Sequence, residues 1–358
     1  MRQRIAPAAV PDEEPVSPEQ LPLSLTLLLF GVGTLVIAVA GSRLTWIADR
    51  LSDLTGLGEA VFGAVLLGAT TSLPGAVASI TTALAGRADL AVGNAVGGIA
   101  AQTAFLVIAD SVYRHANLEH AAASVTNLIN GALLCALLAL PLLAATGPAI
   151  ALWGVHPASV VVLVVYVFGL KLASATKEAP GWMPVRTAQT REDAPDEAPT
   201  SARGAWRIWL TFLGLAATVG VAGWAVGLSG IALVRHTGLS ETLIGSLFTA
   251  VATSLPELVT AVAAVRQGAL TLAVGGIIGG NTFDVLFLVF ADVAYRDGSI
   301  YHAISDQPLF TISLTILLTA FLLLGLIRRE RRGVANIGFE SAAVLLFYLA
   351  GMTTLVFW

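Results

Sequence analysis

Long apolar runs separated by short polar segments dominate the chain. An apolar run of roughly 20 residues is long enough to cross a bilayer as a helix. The pattern predicts ten such spans, at residues 21–41, 57–85, 89–112, 121–146, 148–173, 206–234, 239–266, 269–294, 301–327 and 335–357. Polar, proline-rich composition predicts a disordered segment at residues 1–20 and a flexible linker at 174–205. The predicted fold class is an all-α membrane protein in which the linker separates two five-helix units, 21–173 and 206–358.

The two units share a sequence pattern. Residues 56–114 and 238–296 align without a gap at a constant offset of 182, and more than a third of the aligned positions are identical. The tetrapeptide TSLP at 71–74, for example, recurs at 253–256. Because each unit has an odd number of spans, the second must enter the membrane from the opposite side. The pattern therefore predicts two inverted-topology five-helix repeats.

Composition supports a membrane protein and limits its partners. Mean hydropathy is +0.83 and only 12% of residues are charged, whereas a soluble domain averages about 25%. The net charge of −4 gives no indication of a nucleic-acid partner, so we expect the lipid bilayer and transported cations as partners. The single cysteine, Cys135, excludes an intrachain disulfide.

The distribution of basic residues predicts orientation. Of the 19 lysines and arginines, 14 fall on the face of the predicted bundle that carries the linker. Basic residues favour the cytoplasmic side. We therefore expect a cytoplasmic linker, both termini outside, and residence in the inner (plasma) membrane of a bacterium.

Candidate chemistry centres on the seventh span. Glu257 lies inside an apolar run, where a carboxylate costs about 2.5–3.5 kcal/mol on insertion scales. Pro256 removes one helical hydrogen bond and frees a carbonyl, as does Pro74 in the second span. Thr253 and Ser254 add hydroxyl oxygens. A broken helix with a charge and several oxygens in mid-membrane is typical of a cation site. The alternative for the threonines and serines, including Thr71 and Ser72, is a hydrogen bond back to their own helix.

Glycine-rich segments follow in the third and eighth spans. Gly97, Gly98, Gly279 and Gly280 are expected to permit close helix packing. In the eighth span the glycines precede Asn281 and Asp284, which share one helical face at i, i+3 spacing.

Four further acidic residues have a simpler interpretation. Glu59 and Glu241, near the starts of spans, are expected to complement the helix dipole. Asp110 and Asp292 are expected to pair at i, i+4 with Arg114 and Arg296 at the membrane interface.

These motifs resemble the paired alpha-repeats of the calcium/cation antiporter superfamily, which includes the sodium/calcium exchangers. The family pattern is G-T-S-x-P-E on one helix and G-N-x-x-G-S-N-x-x-D/N on the next, present twice in inverted orientation. The resemblance implies the ten-helix exchanger fold and cation-binding roles for the matching residues: Thr71, Ser72, Gln102, Thr253, Ser254, Glu257, Asn281 and Asp284. Glu257 and Asp284 would be the charged metal ligands.

The first repeat departs from the family pattern. Gly75 stands at the position of the family glutamate, Gly98 and Ile99 replace a Ser-Asn pair, and Gln102 occupies the position equivalent to Asp284. In the second repeat Gly280 replaces the family serine. One of the two main glutamates is therefore missing.

The expected function is secondary cation antiport, in which calcium or sodium exchanges against sodium or protons by alternating access. No cofactor beyond the transported cations and no enzymatic activity are expected, because no nucleophile–base set appears. The alternatives are a monovalent sodium/proton antiporter and a non-transporting homologue that kept the fold. The missing glutamate at Gly75 favours both over ordinary sodium/calcium exchange.

Overall fold

The computed structural model describes residues 18–55, 68–113, 116–122, 124–185, 187, 190, 205–331, 333 and 338–358. Within these ranges the regular elements are helices. In chain order they are α1 (Leu23–Val36), α2 (Ser42–Thr55), α3 (Leu73–Leu84), α4 (Ala88–Val112), α5 (Leu118–Ala121), α6 (Val125–Thr146), α7 (Pro157–Glu178), α8 (Ala205–Thr237), α9 (Glu241–Leu243), α10 (Ala250–Thr253), α11 (Leu255–Gln267), α12 (Leu270–Asp284), α13 (Leu286–Ala294), α14 (Ile300–Ala303), α15 (Asp306–Arg328) and α16 (Phe339–Phe357).

Eight helical stretches among the described residues are long and apolar enough to cross a membrane. A ninth candidate consists of Glu241–Thr253 and Leu255–Gln267, which are bent by 47° at a short break. The second predicted span, 57–85, begins outside the described residues, and its described part contains the shorter helix α3. The all-helical membrane fold is therefore confirmed at this level of detail.

Several spans begin later than the apolar pattern predicted. The fifth, expected from residue 148, begins at Pro157. Trp153 and Gly154 ahead of it have positive φ and form a tight turn, and the His156 ring accepts a hydrogen bond from the Ala158 amide to cap the helix. The ninth, expected from residue 301, begins at Asp306, because Ile300–Ala303 forms the separate short helix α14. The apolar pattern does not reveal the turn before the fifth span, because loop residues such as Leu152 and Trp153 are apolar although they are exposed.

Helix α4 lies at the centre of the molecule. Nearly all of its residues are buried, whereas α1 exposes most of its surface, including 64% of Leu35. A helix that is apolar on all sides is suited to the core, and exposed leucines suit contact with lipid. The core of the bundle is therefore built around the third predicted span.

Glycine allows α4 to approach the turn Ile244–Thr249, which is π-helical. A Cβ atom on Gly97 would lie 2.2 Å from the Ser246 Cα, so only glycine permits this crossing. Gly279 has no atom within 4 Å of its Cβ position, so the prediction of close helix packing there is wrong. A Cβ on Gly98 would lie 3.4 Å from Ser254 Oγ, and one on Gly280 would lie 3.7 Å from Gln102 Oε1, so a side chain larger than hydrogen would fit at both positions.

Asp110 and Asp292 are fully buried at span ends, and the predicted pairing of Asp292 with Arg296 is wrong. Asp292 accepts hydrogen bonds from the backbone amides of Ile300 and His156 and from the Ser159 hydroxyl, at 3.0, 2.8 and 2.6 Å. Arg296 is exposed. Asp292 therefore holds the Ile300 end of the following loop in place instead of pairing with an arginine at the surface.

Asp110 makes the equivalent contacts, with the Leu118 amide at 2.8 Å, the Ser341 hydroxyl at 3.2 Å and the Gly338 backbone. Each contact residue is offset by 182 from its counterpart around Asp292. Its predicted partner Arg114 lies outside the described residues, as does Glu59. Glu241 does lie in the first turn of a helix, and it also pairs with Arg87 at 2.9 Å.

The hydrophilic segment 174–205 is only partly described. Helix α7 continues to Glu178. Beyond it the Val185 carbonyl accepts a hydrogen bond from Arg329, and the Thr187 hydroxyl bonds the His120 ring. Residues 186, 188, 189 and 191–204 of this segment, like residues 1–17 of the N-terminal segment, lie outside the described residues.

Candidate functional site

Two helix breaks face each other across the core. The helix that contains residues 68–71 ends at Ser72, after which α3 begins with Pro74 in its first turn. Helix α10 ends at Thr253, and α11 begins after Ser254 with Pro256 in its first turn. Both breaks follow from proline, which cannot donate the helical hydrogen bond. The hydroxyl and carboxyl groups around these breaks therefore lie in the interior of the bundle.

Glu257 and Asp284 are 4% and 1% exposed. They are close enough to repel each other electrostatically when both are charged. Oδ2 of Asp284 accepts a hydrogen bond of 2.6 Å from the Gln102 amide, which also donates to Ser254 Oγ at 3.2 Å. Gln102 and Asp284, equivalent residues of the two repeats, therefore contact each other directly.

The predicted hydroxyl groups surround these carboxyl groups. Thr71 donates to the Gly68 carbonyl at 3.1 Å and also contacts Glu257. Ser72 lies near Asp284, without a hydrogen bond of normal geometry. Thr253 donates back to the carbonyls of Thr249 and Ala250, at 2.9 and 3.2 Å, as the structural alternative predicted. A hydroxyl that donates to its own helix still has lone pairs for a cation.

Asn281 points its amide nitrogen to the Thr103 hydroxyl at 3.1 Å, which leaves its carbonyl oxygen unbonded. It therefore meets α4 close to Gln102. Gly98 and Gly280 leave open the space beside Ser254 and Gln102 that a serine side chain would occupy.

Five buried side-chain oxygens of the predicted set have no hydrogen-bond partner among the described residues. They are Ser72 Oγ, Gln102 Oε1, Glu257 Oε2, Asn281 Oδ1 and Asp284 Oδ1. Buried polar atoms are normally paired, so a group of unpaired acceptors calls for a missing donor or cation. No cluster of three or more His, Cys, Asp or Glu suited to a metal occurs in the described part of the chain. The arrangement instead offers two carboxylates and neutral oxygens, which suits a hard cation.

Two residues near the site were not identified by sequence reasoning. A Cβ on Gly75 would lie 2.7 Å from Cε2 of Phe287, so the phenylalanine ring covers the backbone where the second repeat carries Glu257. Asn94 donates to the Gly75 carbonyl at 3.0 Å and to Ser79 Oγ at 2.8 Å. An amide in the middle of an apolar run was a visible signal for Asn94. Phe287 gave none, because phenylalanine is common in apolar helices.

Comparison with known proteins agrees with this geometry. The sodium/calcium exchanger protein family model matches residues 25–174 and 206–357. The inner membrane protein YrbG of Escherichia coli K12 is 27% identical over 340 residues, which cover 91% of this chain and 98% of YrbG.

Two solved structures share the fold. The H+/Ca2+ exchanger CAX superposes with a TM-score of 0.62 at 14% identity, covering 94% of this chain and 86% of that chain. The sodium-calcium exchanger NCX_Mj superposes with a TM-score of 0.57 at 16% identity, covering 93% of this chain and 99% of the other. The family resemblance predicted from the motifs is confirmed, and with it the interpretation as a transporter and not an enzyme. The chain is an integral membrane protein and a cation antiporter of the sodium/calcium exchanger protein family.

Proposed function

We propose that the protein exchanges a hard cation, calcium or sodium, against sodium or protons at the site between the two helix breaks. Glu257 and Asp284 supply the negative charge. The neutral oxygens come from Thr71, Ser72, Gln102, Thr253, Ser254 and Asn281. The observation that carries this proposal is the set of five unpaired buried oxygens around two buried carboxyl groups.

The proposed architecture is ten transmembrane helices in two inverted repeats, divided by a cytoplasmic linker. The matched contacts of Asp110 and Asp292 support it. Each aspartate accepts from the loop that follows its own span and from a serine of the other half, Ser341 or Ser159. Reciprocal contacts of this kind are expected of halves related by a two-fold axis. The location proposed is a bacterial inner membrane, with both termini outside.

A monovalent sodium/proton antiporter is the second candidate. The Gln102 amide occupies one oxygen of Asp284, and Phe287 covers Gly75 where a further carboxylate would stand. Two carboxylates suffice to bind one sodium and one proton, so these features favour a site that binds a smaller total positive charge.

Tracer flux into proteoliposomes under imposed sodium and proton gradients tests these functions. Calcium uptake driven by sodium or protons supports calcium exchange, whereas sodium uptake driven by protons without calcium flux supports the second candidate. Glu257→Gln and Asp284→Asn keep the shape of each side chain and remove its charge, so each variant is expected to lose flux by tenfold or more.

Asp297→Asn is the matched control, because Asp297 is exposed outside the spans. It is expected to retain wild-type flux. Full flux in both site variants, with the variants correctly inserted and monodisperse, would exclude this site from transport.

A further inference from the structure

The two equivalent corners of the bundle, around Asp292 and Asp110, differ in chemistry. At the first, the Ser159 hydroxyl lies between Asp292 and the Tyr301 hydroxyl, at 2.6 and 2.9 Å. At the second, Glu119 occupies the position equivalent to Tyr301, and Glu340 the position equivalent to Ala158. The second corner therefore holds two carboxyl groups where the first holds a phenol and a methyl group.

All three carboxyl groups of the Asp110 corner are at most 1% exposed. Asp110 accepts hydrogen bonds from the Leu118 amide and the Ser341 hydroxyl. Oε1 of Glu340 accepts from the Asn117 amide. The Glu119 and Glu340 carboxyl groups lie within hydrogen-bonding reach of each other, and Oε2 of each has no partner among the described residues.

The cationic groups near this corner point elsewhere. The Arg329 guanidinium donates to Val185 O, His120 O and Thr190 Oγ1, at 2.6, 3.3 and 3.3 Å. The His120 ring bonds the Arg329 carbonyl and Thr187. Arg328 lies over the Phe339 ring. Arg266 on the neighbouring helix α11 is exposed, and so is Arg331, whose carbonyl accepts a hydrogen bond from the Asn117 backbone amide. In the described part of the chain, no cation therefore compensates Glu119 or Glu340.

Two carboxyl groups can hydrogen-bond each other only if one of them carries a proton. We propose that Glu119 and Glu340 share a proton, forming a proton-binding site distinct from the central cation site. Burial, followed by the charges of Asp110 and Glu340, raises the pKa of Glu119 well above its usual range. Glu119 adjoins His120, which holds Thr187 of the hydrophilic segment. Loss of the proton would place a second charge beneath that contact and loosen the segment.

A shared proton on this pair makes the stability of the fold depend on pH in one direction. A group whose pKa is raised by folding stabilises the fold below its unfolded pKa, and that stability is lost as pH rises through the folded pKa. The unfolding temperature of the full chain in nanodiscs should therefore fall as pH rises above the ordinary pKa of glutamate, about 4.3. Glu119→Gln supplies a permanent neutral donor to Glu340, so its unfolding temperature should fall less with pH and exceed that of the wild type at alkaline pH.

The comparison with wild type removes the contribution of the other buried carboxyl groups, including Glu257 and Asp284. Glu340→Gln should have the same effect as Glu119→Gln, and the double variant should add nothing, because a single shared proton is removed in every case. Glu330→Gln is the matched control, since Glu330 is half-buried beside Arg329 and outside the pair. It should retain the wild-type pH profile.

Hydrogen exchange at residues 116–122 and 181–190 provides a second readout at matched pH. At alkaline pH the wild type should exchange faster there than Glu119→Gln, and at acid pH the two should agree. Parallel pH profiles of wild type and both single variants, or equal exchange at every pH, would overturn the shared proton. Should Glu119→Gln fail to fold, Glu340→Gln alone decides the outcome.

Discussion

Gln102 and Asp284 meet at the centre of the molecule as equivalent residues of two repeats, and only one of them carries a charge. The internal alignment placed both at the site in advance. It could not show that the Gln102 amide donates to Asp284, because the orientation of an amide depends on its neighbours in the fold. Nor could the alignment show that the Phe287 ring lies against Gly75, because that contact also depends on how the helices pack.

Gln102→Glu should convert this contact into a third carboxylate at the site. The added charge is expected to raise apparent calcium affinity by tenfold or more, and also to make transport more sensitive to acid. Protons compete for carboxylates, so inhibition should begin at a higher pH than in the wild type. Calcium-concentration curves for flux, measured at several pH values, test both effects.

Gln267→Glu is the control for this substitution. Gln267 is the last residue of α11 and is exposed, so it adds the same charge far from the carboxyl groups. Unchanged affinity and an unchanged pH profile in Gln102→Glu would mean that residue 102 does not face the transported ion.

At the scale of elements, the helix breaks were predictable from proline, whereas their packing was not. The π-helical turn Ile37–Gly41 in the first span lies against the break in the seventh. A Cβ on Gly41 would lie 2.5 Å from Cγ of Pro256, so the first span can approach this break only through glycine. The ungapped alignment begins at residue 56 and did not single out Gly41. Its counterpart at the same offset of 182 is Gly223, which likewise lies against Pro74.

Gly41→Ala should destabilise the fold, since forcing an extra methyl into a packed contact typically costs about 1–3 kcal/mol. Gly31→Ala is the control, because nothing lies within 4 Å of its Cβ position. Alanine there should be neutral or slightly stabilising. Thermal unfolding in detergent measures both, and Pro256→Ala should relieve part of the Gly41→Ala defect. Equal unfolding temperatures for Gly41→Ala and Gly31→Ala would show that the contact between Gly41 and Pro256 accommodates an extra methyl group without loss of stability.

At the scale of the whole molecule, the reciprocal corners connect the two halves. The loop after each aspartate and a serine from the opposite half bind the same carboxylate. The alignment anticipated that the aspartates are equivalent, and the i, i+4 spacing predicted ion pairs with Arg114 and Arg296 at the membrane interface. The actual partners are a backbone amide eight residues further along the chain and a serine hydroxyl of the other half, which the spacing of charged side chains cannot reveal.

Topology follows from the proposed inversion. Single cysteines at Ser17 and Ser201, each in a Cys135→Ala background, should react with an impermeant maleimide from opposite sides of the membrane. In intact cells only the Ser17→Cys variant should be labelled, and Ser201→Cys should require permeabilisation. Labelling of both in intact cells would contradict a cytoplasmic linker between inverted halves.

The number of buried charges limits the number of ions moved in each cycle. Glu257 and Asp284 compensate at most two positive charges, while Gly75 and Gln102 add none. A third buried sodium would lack a counter-charge, which costs several kcal/mol. One calcium against two monovalent ions moves no net charge, so transport should respond weakly to membrane voltage. Acid should inhibit it, because protons neutralise the carboxylates that the cation needs.

Proteoliposomes clamped with a potassium gradient and valinomycin measure the voltage dependence directly, at a series of pH values. Wild-type flux should change little across the imposed voltages and decline towards acid pH. Gln102→Glu, with three carboxylates, can compensate three monovalent ions and should gain a voltage dependence that the wild type lacks. Strong voltage dependence in the wild type, without a response to pH, would mean that neutral oxygens such as Gln102 Oε1 and backbone carbonyls stabilise a third cation without a counter-charge.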